Sequence, residues 1–390
     1  MRSQNRWVQL AVTTFLLAAV SVGLNAPGFL IPHFHLALDL SLASAGVAAA
    51  APMIGMACFL VVWGALVDRV GERRVLTMGL SLATVGAALA VLATSFSLLV
   101  VAFFVIGAAS ASVHVSSARL VTGWFAPGQR GTAMGIRQSA APVGIAAAAG
   151  SVPNLADRFG TATALMVPVT VLAVGLVACL MLVSNPTRLP RSDPAAQVHL
   201  RNPYRGSWRL ARVHLVAAML VVPQVMIWTF MLVWLIVVHD WSVASASVAV
   251  AVVQLLGAGG RIAAGWWSDV AKMRMRPIRW IAVAGAVSMF VLASSGDSPV
   301  AVVVIVLASI IVVADNGIAA TAVAEVSGPY WSGRAQGLQN TGQNAVAAAV
   351  PPLGGALIAS HGYSAAFLVA GLIGLVAAPF VPVNGEPKPE

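Results

Sequence analysis

Residues Asp39-Leu-Ser-Leu-Ala-Ser-Ala-Gly-Val47 and Asp240-Trp-Ser-Val-Ala-Ser-Ala-Ser-Val248 agree at six of nine positions, at an offset of 201. The same offset pairs Trp7 with Trp208, Gly64 with Gly265 and Asp68 with Asp269. At an offset of 202, Gly131-x-Ala133-x-Gly135-Ile136-Arg137-Gln138-Ser139 aligns with Gly333-x-Ala335-x-Gly337-Leu338-Gln339-Asn340-Thr341, and Gly160 with Gly362. One alanine-rich match arises easily by chance. Several in nearly one register do not, so the chain reads as two copies of one unit, each about half of the 390 residues.

Composition says what each copy is made of. Of all residues 59% are apolar and 9% charged, against about 25% charged in an ordinary soluble domain. Mean hydropathy is +0.90. There are too few polar residues to cover a surface facing water, and far too many apolar ones for disorder. A bilayer span takes ~20 apolar residues, so the length accommodates roughly twelve. The apolar runs are continuous, unlike the alternating strands of an outer-membrane barrel. The spans fall near 7–30, 43–66, 75–94, 97–121, 131–152, 161–184, 210–238, 244–267, 278–295, 299–323, 333–358 and 363–383. The one long hydrophilic stretch, 185–209, contains Pro186, Pro190, Pro194 and Pro203. The expected fold class is an all-α integral membrane protein of twelve transmembrane helices. It comprises an N-terminal six-helix bundle (1–184), a cytoplasmic linker (185–209) and a C-terminal six-helix bundle (210–390). Parallel repeats of this kind are related by a pseudo-two-fold axis along the membrane normal, with a substrate site near midplane. The abundant glycine and alanine let the helices approach closely.

The basic residues set the orientation. With the N-terminus in the cytoplasm, the outer loops receive only Arg158 of the 22 Lys and Arg, while Arg119, Arg137, Arg212 and Arg261 fall within spans. All others lie inside. A multi-pass protein of the cell (inner) membrane with both termini cytoplasmic is expected, as a monomer. The net charge of +10 is spread between the spans and does not form a nucleic-acid patch. Cys58 and Cys179 both lie in apolar runs, with no disulfide framework or metal set around them. The apolar run after Arg6 is too long for the 7–15-residue core of a cleaved signal.

The turn between spans 2 and 3 reads Gly64-Ala-Leu-Val-Asp68-Arg69-Val-Gly71-Glu72-Arg73-Arg74. A short turn needs a glycine for close approach, an aspartate there faces the positive end of a helix, and arginines anchor to headgroups or pair with acids. This stretch resembles the signature loop of the major facilitator superfamily, G-x-x-x-D-R-x-G-R-R, with Glu72 where the family often has a basic residue. The second copy, Gly265-Trp-Trp-Ser-Asp269, keeps the glycine and aspartate but has a looser basic tail. The resemblance implies alternating access. It also implies a gating role for Gly64, Asp68, Arg69, Arg73, Arg74, Gly265 and Asp269, the alternative being a plain positive-inside turn.

Ionisable groups within spans cost ~2.5–3.5 kcal/mol each on insertion scales and are functional by default. His114, Arg137 and Asp315 each lie roughly six to eight residues from the cytoplasmic end of a span, or ~9–12 Å deep. The repeat sets His114 opposite Asn316, and Arg137 opposite Gln339. Arg137 suits an anionic group. Asp315 balances that charge or carries a coupling proton, and His114 relays a proton or donates to substrate. Asn340, Gln343 and Asn344 add amides on span 11, and Gln224 another on span 7, with Trp228 and Trp234 as apolar walls. Arg119 and Arg261 lie nearer span ends, where long side chains can snorkel.

The partners expected are a small-molecule substrate, protons and lipid, with no cofactor or metal. An enzyme would need a nucleophile or metal set, and neither HExxH nor GxSxG occurs. A sensor would add a soluble domain. Gly135-Ile-Arg137-Gln138-x-x-x-Pro142-x-Gly144 is similar to cyanate-permease-like members of the superfamily, and lacks the compact glycine–proline pattern of its drug/proton antiporters. The expected function is secondary transport of a small organic anion with proton coupling. A proton-coupled drug or metabolite efflux antiporter is the alternative.

Overall fold

The computed structural model describes residues 5–36, 41–190, 192–384 and 386. The start of the first repeat stretch (Asp39 and Leu40) and the basic residues Arg2, Arg191 and Lys388 lie outside them. Every regular element among the described residues is helical. In chain order these are α1 (Arg6–Phe29), α2 (Ile31–Leu36), α3 (Leu42–Val70), α4 (Glu72–Val91), α5 (Phe96–Trp124), α6 (Arg130–Gln138) and α7 (Ala140–Leu182). They continue as α8 (Gln197–Leu200), α9 (Arg209–Val237), α10 (Val243–Val270), α11 (Met275–Ser295), α12 (Pro299–Ile311), α13 (Asp315–Ser327) and α14 (Ser332–Phe380). By length and composition, 10 helical segments among the described residues can cross a membrane.

The repeat has a local physical meaning. Ser41 precedes α3 and Ser242 precedes α10, and each hydroxyl accepts the amide three residues on, from Ser44 and Ser245 respectively, both at 3.1 Å. Each is the N-cap that satisfies one of the orphan donors of its helix. Gly160 and Gly362, paired by the repeat, both adopt φ near +80° (φ 82 and 79) with extended ψ (171 and 174). Only glycine enters that region without strain. These residues kink α7 and α14, so chain expected as spans 5 and 6, and as 11 and 12, runs nearly continuously on either side of one glycine.

Span 10 differs from expectation. Residues 312–314 form turns between α12 and α13, which puts Asp315 at the N-terminus of a new helix.

The chain divides into two compact units. Unit 1 holds Met1–Phe125, Ala140–Arg201 and Gly328–Thr341; unit 2 holds Ala126–Ser139, Asn202–Ser327 and Gly342–Glu390. Unit 1 packs around Leu16, Leu17, Leu80, Phe103 and Ile106, all fully buried. Unit 2 packs around Ile227, Trp234, Met289, Ile305 and Phe367. Many large apolar side chains stay exposed on the helices, among them Val62, Val85, Val101, Val174 and Leu255. Such continuous apolar exterior suits lipid contact, where helix association rests on close packing and interhelical hydrogen bonds.

Candidate functional site

In unit 1, the C-terminal end of α3 meets the first turn of α14. The Asp68 carboxylate accepts the amides of Gly333 (2.9 Å) and Arg334 (3.0 Å). These are two of the four donors that a helix start leaves unbonded, and the helix dipole adds attraction for the negative charge. Close approach is made possible by Gly64 and Gly333. A Cβ on either would fall inside van der Waals contact of the other's carbonyl oxygen. Arg119 on α5 pairs with the same carboxylate and donates through Nε to Glu72 Oε1 at 2.7 Å. Arg188, in the stretch after α7, pairs with Glu72 as well. Two acids and two bases thus neutralise one another.

Of the arginines expected here, Arg73 is exposed. Its amide donates to Asn185 Oδ1 (2.8 Å) and its Nη2 to the Leu180 carbonyl (2.7 Å). Arg69 and Arg74 are exposed too, and among the described residues no hydrogen bond ties them to the cluster.

Unit 2 carries the counterpart. Asp269, at the end of α10, accepts the amides of Gly131 (2.9 Å) and Thr132 (2.7 Å) and the Thr132 hydroxyl (2.8 Å). Gly131 and Gly265 face each other as Gly64 and Gly333 do. Here the base comes from the loop. Arg274 donates to Asp269 Oδ1 at 2.8 Å and to Glu325 Oε2 at 3.2 Å, and Arg130 reaches Glu325 at 3.4 Å. Burial works against the charge on Arg274. The hydrogen bonds and charges of Glu325 and Asp269 outweigh it and hold the guanidinium more firmly protonated than usual. The two clusters are equivalent with acid and base exchanged. In unit 1 the bracing acid Glu72 opens α4 and the base Arg119 is on α5; in unit 2 the base Arg274 immediately precedes α11 and the acid Glu325 is on α13.

A second set of charges lies deeper in unit 2. Arg137 and Arg261 are each 3% exposed and Asp315 is 2% exposed. Arg261 therefore does not snorkel, and neither does Arg119, which is 2% exposed. The expectation that these two reach an interface fails because neighbouring helices cover them. Arg137 closes α6, and Asp315 opens α13. These are the ends at which the helix dipole favours a cation and an anion respectively. Gly135 lets α6 lie against the Arg261 carbonyl on α10 and against Gly317 on α13.

Arg137 Nη1 donates to Gln138 Oε1 at 2.9 Å. Asn316 donates to Gln224 Oε1 at 3.2 Å, and Gln343 to the Ala217 carbonyl at 3.4 Å. Asn344 and the partly exposed Trp228 also belong to unit 2. Trp234 is packed into the core, edge-on to Phe367. His114, Gln339 and Asn340 belong to unit 1. Gln339 is buried, and Asn340 donates to the Gln336 carbonyl of its own helix at 2.8 Å. Sequence reasoning passed over Glu72, Arg188, Arg274 and Glu325. The one signal at hand was Glu72 itself, an acid where the loop pattern has a base.

Comparison with known proteins agrees with this architecture. The family model of the Major Facilitator Superfamily matches residues 12–351. The uncharacterized MFS-type transporter Rv2994 of Mycobacterium tuberculosis is 44% identical over 381 residues, covering 97% of this chain and 85% of that protein. Among solved structures, the E. coli fucose:proton symporter FucP superposes with a TM-score of 0.76 at 17% identity, covering 99% of this chain and 100% of that one. The human organic anion transporter MFSD10 gives 0.75 at 16% identity, covering 98% and 100%. The last two show a shared fold, and the family match and the 44% identical relative show kinship. This chain belongs to the Major Facilitator Superfamily of membrane transporters.

Proposed function

We propose that the protein is a secondary active transporter that moves a small organic anion together with protons. It works by alternating access between the halves 1–184 and 210–390, joined by the linker 185–209, in the cell (inner) membrane with both termini cytoplasmic. The observation that carries this reading is the buried charge of unit 2: Arg137, Arg261 and Asp315, all almost fully covered. Charges out of water demand partners, and these three comprise two cations and one anion. An anionic substrate supplies the difference.

In this reading Arg137 contacts the anion, Asp315 carries the coupling proton, and His114 relays it. Gln224, Asn316, Gln339, Asn340, Gln343 and Asn344 supply hydrogen bonds, and Trp228 a wall. The glycine kinks support twelve crossings. At 1.5 Å per residue, the 43 residues of α7 extend ~64 Å and the 49 of α14 ~74 Å, each enough to cross twice with the turn at Gly160 or Gly362.

The two clusters at Asp68 and Asp269 act as the gate. Each holds a helix start in place by its backbone amides and releases it when the halves rock. Arg69 and Arg74 are the outer anchors of that loop. Purified protein in liposomes with an imposed pH gradient tests the function: accumulation of small carboxylates above protein-free vesicles is expected. Accumulation of cationic drugs instead would favour the efflux alternative.

A further inference from the structure

The two buried arginines of unit 2 differ in one respect. Arg137 has its guanidinium engaged by Gln138. Arg261 Nη1 is buried with no hydrogen-bond partner. Arg261 and Asp315 act on each other electrostatically, yet no ion pair joins them among the described residues. The guanidinium lies instead over the Trp228 ring, 5.8 Å from its centroid, and Trp228 is 38% exposed.

Position rules out a plain interfacial role. Arg261 lies nine residues before the end of α10 at Val270, about 14 Å along the axis, and is covered on all sides. A donor left unmade at that depth costs stability unless some state of the protein fills it.

Charge bookkeeping narrows what fills it. Among the deep, described charged residues of unit 2, Arg137, Arg261 and Asp315 leave one positive charge over. With Asp315 ionised, a monoanion cancels it and a dianion overshoots. The guanidinium fork matches a carboxylate in bidentate fashion. The adjoining indole offers an apolar, quadrupolar face to whatever the carboxylate is attached to.

Building on the anion-transport reading above, we propose that Arg261 receives the carboxylate of a monocarboxylate whose apolar or aromatic body lies against Trp228. Arg261 is then the substrate contact of α10, with Arg137 a second cation on α6. Discrimination is against dicarboxylates, by uncompensated charge, and against anions without an apolar body, by loss of the indole contact.

The test uses the full chain in lipid nanodiscs, with benzoate, acetate and phthalate as probes at matched ionic strength. Binding is read by calorimetry and by thermal shift. The wild type is expected to bind benzoate more tightly than acetate, and phthalate least. Arg261→Gln is expected to weaken benzoate by about tenfold or more, Arg261→Lys by less, and the exposed control Arg158→Gln not at all. Trp228→Leu keeps every charge and is expected to weaken benzoate while leaving acetate unchanged, an outcome that a merely structural role for Arg261 would not produce. Because Arg261→Gln is a buried change, the Trp228→Leu and Arg261→Lys arms decide the matter if it fails to fold. Unchanged benzoate binding in Arg261→Gln would overturn the role of Arg261 and leave the anion-transport reading standing. Tighter binding of phthalate than of benzoate would overturn the monoanion class alone. Failure of the wild type to bind any of the three would overturn both.

Discussion

Asp68, the last acid of α3, accepts the backbone amide of Gly333, in the first turn of α14, at 2.9 Å across 265 residues of sequence. The contact joins a side chain of one repeat to main chain of the other, and the repeat returns it as Asp269 on Gly131, also at 2.9 Å. Backbone amides accept no substitution, so the aspartates and the glycines that admit them are the mutable parts of this device.

Asp68→Asn keeps the size and one acceptor but removes the charge. It leaves Arg119 and the α14 amides short of their anion inside a buried cluster, a loss of about 3–5 kcal/mol when one partner of a buried pair is removed. Transport is expected to vanish while the protein remains in the membrane. Uptake by vesicles, alongside an immunoblot of the membrane fraction, checks both halves of that statement.

Gly333→Ala and Gly265→Ala place a methyl against a facing carbonyl. Overpacking of this kind costs about 1–3 kcal/mol, and both are expected to lower the melting temperature and slow transport. Gly259→Ala in the same helix as Gly265 meets open space and is expected to leave both unchanged. A melting curve on the three variants separates packing from mere helix propensity.

Glu386, beyond the last helix, accepts the amides of Arg274, Met275 and Arg276 at 2.7, 2.7 and 3.1 Å. It is an N-cap of α11 supplied from far along the chain. It also lines, with Arg209, Lys272 and Arg274, a cavity of about 630 Å³ beside Asp269. Glu386→Gln is expected to cost roughly 0.5–2 kcal/mol, the range for losing a cap, with faster amide exchange confined to the first turn of α11. Hydrogen–deuterium exchange at residues 274–276 reads this directly.

Asp315→Asn removes the acid that the coupling proposal relies on. In the wild type, uptake is expected to rise as the external pH falls, because the proton gradient then drives the anion inward. In the variant the pH profile is expected to be flat, with benzoate binding retained. Initial rates across an external pH series check the slope.

The sequence repeat carried much of this account because its matched residues do matched work. Ser41 and Ser242 cap, Gly160 and Gly362 kink, and Asp68 and Asp269 hold helix starts. Partners distant in sequence were hidden. Nothing in the loop itself tells that Glu72 meets an arginine 47 residues on, or that Arg188 joins them. The break before Asp315 has no proline or glycine to announce it, only Val312, Val313 and Ala314. Arg261 was misjudged for a related reason. Distance from a helix end measures depth, whereas exposure depends on which neighbours cover that side of the helix. The ionisable residues within spans were legible in the sequence, but their pairing was not, since charge balance only appears once the helices are assembled.

Proton-coupled anion movement through the charges of unit 2 is the reaction proposed for this protein. Its most direct measurement is pH-gradient-driven accumulation of radiolabelled benzoate in proteoliposomes, corrected with protein-free vesicles, for wild type and for Arg137→Gln and Arg261→Gln. The wild type is expected to show accumulation that a protonophore collapses, and either arginine variant none. Accumulation that persists in both variants, or that ignores the pH gradient, would contradict it.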